Sequence, residues 1–261
     1  MREPVLVDEA EGVVTLTLHQ PDKRNAFSGP MAQLLAAQLT RCDTDDSVRA
    51  VVLTGTPPAF CAGADLSAGG ETFGARDSGS FSAAAVPFPL WRVRKPIVAA
   101  VNGHAIGVGF TLTLQCDLRI FAAAGTYGIV QVRRGVMGDA YAHWTLPRLV
   151  GQSVAADLLL TGRTFDGHEA HALGLCSRVL DAAEVLPAAV EIARDIARNT
   201  APESVALSKQ LLWDTWGLSP AEVERRETDD HHRLMAGPDA REGVLAYLEK
   251  RPPVWRGRLD G

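Results

Sequence analysis

Strands and helices alternating around a buried sheet, an α/β fold, are predicted by three features of this sequence. Residues 50–53 and 97–101 are short, continuously apolar runs, and 118–122 is another interrupted by Arg119, the pattern of strands covered on both faces. Glycine-rich turns and helical stretches lie between them, the order of βα layers. Past about residue 151 the strand signals nearly vanish and helix caps take over, so a helical tail follows the mixed core.

Taken in order, Val14, Leu16 and Leu18 alternate with Thr15 and Thr17, which marks a half-buried strand. Ser28 precedes Pro30, and Met31, Leu34, Leu35 and Leu39 follow at helical spacing, a capped amphipathic helix. The run at 50–53 leads to a small-residue turn, Phe60-Cys61-Ala62-Gly63-Ala64-Asp65. Between residues 67 and 82 the composition shifts to Gly, Ser, Ala and charge, predicting a loop placed as a lid. Phe73, Phe81, Phe88 and Trp91 are candidates for an apolar pocket wall, for lid anchors or for core. After the run at 97–101, Gly103-His104-Ala105-Ile106-Gly107-Val108-Gly109 opens a short apolar helix. Asp139, in Met137-Gly138-Asp139-Ala140-Tyr141, stands where it would cap a helix predicted over 140–149. On that helix His143 would share its face. In the tail, Ser219-Pro220-Ala221-Glu222 is a capping box. Gly237 ends that helix, Asp239 with Glu242 starts another, and Pro252-Pro253 stops it. Trp213, Trp216, Leu234, Leu245 and Leu248 then need burial against the main domain or a neighbouring subunit. The division expected is a core at 1–198 and a helical oligomerisation region at 199–261.

Composition narrows the function. The 261 residues are 46% hydrophobic and 22% charged, an ordinary globular balance, and the net charge of −5 offers no field for nucleic acid. No stretch approaches the roughly 20 apolar residues of a membrane span, and Met1-Arg2-Glu3-Pro4 opens no secretory signal. The 4 cysteines, Cys42, Cys61, Cys116 and Cys176, form no CxxC pair and read as reduced, buried thiols, hence a cytoplasmic protein.

Two turns stand out chemically. Glycine lets a backbone approach a ligand closely, and amides at a helix start favour developing negative charge. The glycine cluster is not a GxGxxG, and no GxSxG or Walker loop is present. His168-Glu169-Ala170-His171 falls one residue short of HExxH, and His231-His232 suits a solvated helix face, so no metal is expected.

Pro21-Asp22-Lys23-Arg24-Asn25-Ala26, the run from Thr54-Gly55 through Phe60-Cys61-Ala62-Gly63-Ala64-Asp65-Leu66, and Pro96 through Asn102-Gly103 to Cys116-Asp117 appear in this order. Ala170 with Gly174-Leu175, then Asp239 through Glu242-Gly243 to Lys250-Arg251, complete the series. Together they resemble the enoyl-CoA hydratase/isomerase (crotonase) superfamily over nearly the whole chain. The resemblance implies a crotonase-type spiral of ββα turns with a C-terminal helical trimerisation region, as a trimer or dimer of trimers. It implies an acyl-CoA thioester as substrate, CoA arriving as part of it, and no other cofactor. The thioester enolate would rest on the backbone amides of Ala64 and Val108, where Val108 replaces a common glycine. Asp22, Lys23, Arg24, Ala62, Asp65 and Leu66 would line the CoA site.

The resemblance also exposes a departure. The two glutamates of a hydratase align with Thr111 and Gln131, neither of which titrates near neutral pH. Asp139 is the carboxylate left in the region, where some relatives use an aspartate for proton transfer and others as a nucleophile. Gln131 and Thr111 are then polar or water-positioning groups, and His143 a substrate contact or a structural histidine. Arg133 and Arg134 suit surface pairing by default, with a polar acyl group, an anionic CoA group or a neighbouring subunit as alternatives, and His104 a structural or pocket-wall place. The expected function is nominally that of an enoyl-CoA hydratase/isomerase, a lyase-like enzyme. The alternatives are a hydrolase or dehalogenase-like enzyme using Asp139, or a non-catalytic acyl-CoA-binding protein.

Overall fold

A computed structural model describes residues 3–74 and 82–257. The chain opens with β1 (Val5–Ala10) and β2 (Val13–Leu18), an antiparallel hairpin turning through Glu11 and Gly12, both with positive φ. Then come α1 (Gly29–Thr44), β3 (Ala50–Gly55) and β4 (Ala59–Cys61). The next turn is β5 (Ile97–Val101), β6 (His104–Ile106) and α2 (Val108–Thr113). It is followed by β7 (Leu118–Ala122), β8 (Tyr127–Gly128), α3 (Ala142–Thr161) and α4 (Gly167–Ala172). The chain continues through β9 (Arg178–Leu180) and α5 (Ala182–Asn199). The tail is α6 (Pro202–Asp214), α7 (Pro220–Ala236) and α8 (Pro238–Glu249).

The strands make two sheets. The larger runs β1-β2-β3-β5-β7-β9, parallel from β2 onward, and the smaller is the parallel set β4-β6-β8. Each pass of the chain lays one strand in the large sheet and then one in the small sheet, which is the repeating unit of the spiral. The apolar runs are covered on both faces, as their lack of alternation predicts. Val51, Leu53, Ile97, Ala99, Val101 and Phe121 face one core, shared with Met31, Leu35 and Leu39 of α1. Val52, Val98, Ala100 and Ile120 face the other, closed by Val185, Ala189 and Ala193 at four-residue spacing on α5.

The tail docks on this core through a buried polar knot. Lys209 Nζ on α6 lies 2.7 Å from Asp117 Oδ2 and donates to the Lys95 carbonyl at 2.9 Å. Trp213 Nε1 donates to Asp117 Oδ1 at 2.8 Å, and the Ile97 amide donates to Oδ2 at 2.7 Å. Trp213 also stacks on Trp91, centroids 5.0 Å apart, and Trp91 on Trp144 at 4.7 Å. Trp216 packs on Trp144 at 4.6 Å, with the Arg148 guanidinium 4.8 Å from the Trp144 ring centre. Trp213 is thus buried against the main domain, whereas Leu248 stays exposed.

Several sequence expectations need correction. Past residue 151 one short strand remains among the described residues, β9, which pairs with β7 at the sheet edge. The helix expected over 140–149 begins at Ala142 and runs to Thr161, bent at Gly151, whose φ of 78 is not helical. Asp239 and Glu242 do not cap α8. Asp239 accepts from the Arg256 and Gly257 amides, and Glu242 binds Arg251 and the Val254 amide, so both hold the chain that follows. The Ser28 cap and the Ser219 capping box are present as expected. Residues 69–73 of the expected lid form a 3-10 turn, while 75–81, with Phe81, lie outside the described residues. Phe88 packs on the core rather than on a lid.

Candidate active site

Two backbone turns are pressed together by the small sheet. β4 pairs with β6, Ala59 opposite His104 and Cys61 opposite Ala105, which brings the turn after Cys61 beside the turn after Ile106. The approach is so close that only glycine fits at two points. A Cβ on Gly63, whose φ is +92, would lie 2.7 Å from the Ile106 carbonyl oxygen. One on Gly109 would lie 2.4 Å from the Cys61 carbonyl oxygen and 2.8 Å from its Sγ. Ala64 follows the first glycine, and Val108 opens α2 behind Gly107. Among the described residues neither the Ala64 nor the Val108 amide has a hydrogen-bond acceptor. Two unpaired N–H groups on adjoining turns, one at a helix start, make a natural seat for developing negative charge.

Asp139 completes the arrangement. Its Oδ1 accepts hydrogen bonds from Thr111 Oγ1 and Gln131 Nε2, each at 3.0 Å. Thr111 Oγ1 also lies 3.4 Å from the Val108 carbonyl, but the shorter contact takes its proton. Gln131 rests against the second turn, since a Cβ on Gly107 would come 3.4 Å from its Nε2. Its own Oε1 is buried without a partner among the described residues. Burial pushes the Asp139 carboxyl above the usual carboxylate range, against the pull of the Thr111 and Gln131 hydrogen bonds. Burial likewise raises the Cys61 thiol to about 12, with the Asp139 charge adding to it, so the carboxylate is felt at the first turn as well.

The helix-cap reading of Asp139 is therefore corrected. The residue at the cap is Tyr141, in a left-handed conformation with φ 63, and Ala140 before it has φ 47. Two successive left-handed residues lift Asp139 off the helix, so it and His143 do not share a helical face. His143 is exposed, its ring close to Gly138 on the turn before Asp139.

The CoA-side candidates also come together. Lys23 Nζ donates to Asp65 Oδ2 at 2.6 Å and to Ser67 Oγ at 2.7 Å, which lowers the Asp65 carboxyl to about 2. The Ala62 amide donates to the Arg24 carbonyl and the Phe27 amide to the Gly63 carbonyl, so residues 22–27 lie along the first turn. Leu66 is exposed beside them. Asp22 sits in the adjoining 3-10 turn Pro21–Lys23. His104 is structural: its Nδ1 accepts from the Thr126 amide. Arg133 donates to the Thr161 carbonyl at the surface.

One residue escaped the sequence reading. Gln115 is fully buried, accepting at Oε1 from the Leu90 amide (3.1 Å) and donating from Nε2 to the Ala140 carbonyl (3.2 Å). The signal for it was a lone amide side chain in the apolar stretch Leu112-Thr113-Leu114-Gln115-Cys116.

Comparison with known proteins identifies the family and the fold. The family model for enoyl-CoA hydratase/isomerase matches residues 8–258. An enoyl-CoA hydratase of Alternaria alternata is 36% identical over 253 residues, covering 96% of this chain and 85% of the relative. A mevalonyl-coenzyme A hydratase of Aspergillus fumigatus is 34% identical over 247 residues, covering 94% of this chain and 91% of the relative. The crystal structure of a probable enoyl-CoA hydratase/isomerase from Mycobacterium abscessus superposes with a TM-score of 0.94 at 53% identity, covering 97% of this chain and 99% of that one. With two spiral sheets, a helical tail and a match across nearly its whole length, this chain belongs to the enoyl-CoA hydratase/isomerase (crotonase) family.

Proposed function

We propose that this protein processes an acyl-CoA thioester, with the Ala64 and Val108 amides binding the thioester oxygen and Asp139 moving the proton. The observation that carries this reading is Asp139 itself, a part-buried carboxylate hydrogen-bonded to Thr111 of α2, the helix that opens with the Val108 amide. As an enolate forms, charge grows on the thioester oxygen, and each amide aimed there lowers the barrier; losing one such donor costs about 3 kcal/mol in comparable sites. Thr111 and Gln131 hold Asp139 at Oδ1, and its carboxylate would take a proton from the substrate or from water and return it. A carboxyl raised toward neutrality suits that exchange better than an ordinary one. Asp22, Lys23, Arg24, Ala62, Asp65 and Leu66 would meet CoA, and His143 the rim of the acyl site.

Such chemistry needs no resident metal or redox cofactor. The exposed apolar residues Leu212, Tyr247 and Leu248 support the helices after residue 199 as the oligomerisation region of a homotrimer or dimer of trimers. Four buried free thiols support a cytoplasmic setting. The relatives act on differently named acyl groups, so family membership leaves the acyl chain open.

The test is turnover of a panel of enoyl-, dienoyl- and aroyl-CoAs, followed by mass spectrometry, for the wild type and Asp139→Asn. The expected result is product from the wild type and a kcat lowered on the order of 10²–10⁴-fold in the variant. An unchanged kcat would remove Asp139 from the chemistry. A covalent adduct on Asp139 would make it a nucleophile, and tight binding without product would leave an acyl-CoA-binding protein.

A further inference from the structure

We infer that Gln115 is the residue that positions Asp139 in the site, by holding a left-handed turn the local sequence does not favour. The inference rests on the reading of Asp139 as the proton-transfer group. Ala140 and Tyr141, directly after Asp139, have φ of 47 and 63. Neither side chain prefers that region, and each such residue is strained unless its surroundings hold it there. Relaxed to ordinary helical angles, the pair would extend α3 backward and carry Asp139 onto the helix, away from Thr111 and Gln131.

Three contacts hold the turn in place. The Ala140 amide donates to the Ala83 carbonyl at 2.7 Å. The Ala140 carbonyl accepts from Gln115 Nε2 at 3.2 Å, while Gln115 Oε1 accepts from the Leu90 amide at 3.1 Å. The Tyr141 ring meets the edge of Trp91, the residue after Leu90, with centroids 5.0 Å apart at 70°. Gln115 is the link common to both strands of this clamp. It has no exposed surface, and its orientation is fixed by its partners, because an N–H must face its oxygen and a C=O its nitrogen. It also stands four residues after Thr111, at the end of the segment that begins with the Val108 amide. One short piece of chain therefore supplies an amide for the thioester, a hydrogen bond to Asp139 and the brace for the turn that carries it. Gln115 touches none of the reacting atoms; it acts through Asp139.

The experiment is a double-mutant cycle of Gln115→Met and Asp139→Asn, with crotonyl-CoA or whichever longer trans-2-enoyl-CoA the wild type turns over faster. Rates are taken per folded enzyme, well below the thermal midpoint of every variant. Gln115→Met keeps the side-chain length and removes both hydrogen bonds. The expected result is a kcat lowered at least tenfold with KM within about threefold, since the turns that seat the thioester are untouched. In the Asp139→Asn background the same substitution should change kcat less than twofold, because the group it positions is already lost. A general packing defect would cost the same factor in both backgrounds.

Ala140→Gly, added to Gln115→Met, supplies a second readout that does not depend on the residual rate of Asp139→Asn. Glycine adopts a positive φ without strain, so kcat should recover most of the loss. Equal losses in both backgrounds, an unchanged kcat in Gln115→Met, or no recovery with Ala140→Gly would each overturn the role of Gln115 and leave the reading of Asp139 standing. A fully active Asp139→Asn, or a wild type inert toward every thioester, would overturn that reading and this role with it.

Discussion

At Asp139 two effects oppose each other, and burial wins over the hydrogen bonds from Thr111 and Gln131. A carboxyl whose folded pKa lies above its unfolded value of 3.8 holds its proton more tightly when folded. Stability is therefore lost as pH rises from that value through the raised one. Asp139→Asn, which keeps both hydrogen bonds at Oδ1, should melt above the wild type at pH 7. The difference should shrink as the pH is lowered through the raised pKa and vanish below the ordinary one; calorimetry across pH checks this. A variant less stable than the wild type at pH 7 would mean that the carboxylate is stabilised by contacts beyond these two. Thr111, Gln131 and Asp139 were singled out in sequence by the resemblance to the family, and the structure brings the three into hydrogen-bond contact. The capping role expected of Asp139 was not correctable from sequence, because alanine and tyrosine give no sign that they will adopt left-handed angles.

Elements were read best where one covalent pattern decides them. The runs of β3, β5 and β7 and the Ser219 capping box are local signals that packing reinforces. β9 is only three residues, too short for any periodicity, and exists because the edge of β7 offers it partners. Asp239 and Glu242 looked like helix starters, but the backbone of residues 254–257 outcompetes α8 for their oxygens. The apposition of the two turns yields a sharp prediction. Gly109→Ala places a Cβ 2.4 Å from the Cys61 carbonyl oxygen, and backbone must move to admit it. It should destabilise the fold by about 1–3 kcal/mol and lower kcat/KM, read by denaturant titration and steady-state rates. Gly70→Ala meets nothing within 4 Å and should stay within about 0.5 kcal/mol of the wild type.

Across the molecule, the union of tail and core rests on a lysine that any sequence reading would assign to the surface. Lys209 is 6% exposed and sits against Asp117, with Lys95 and Trp213 completing the knot. Its burial became visible only once α6 was laid on the sheet, whereas the tail's need to bury Trp213 was plain from composition. Lys209→Met leaves Asp117 with two neutral donors and should cost about 3 kcal/mol, with hydrogen exchange in α6 rising before that in β5. The knot ends in the aromatic pile of Trp91, Trp144, Trp213 and Trp216, which holds four of the protein's 5 tryptophans, and whose Trp91 leans on Tyr141. Four of the five indole chromophores of this protein therefore sit at one spot. Light from it will report whether the tail is seated beside the Asp139 turn, in a single cuvette and with no label attached.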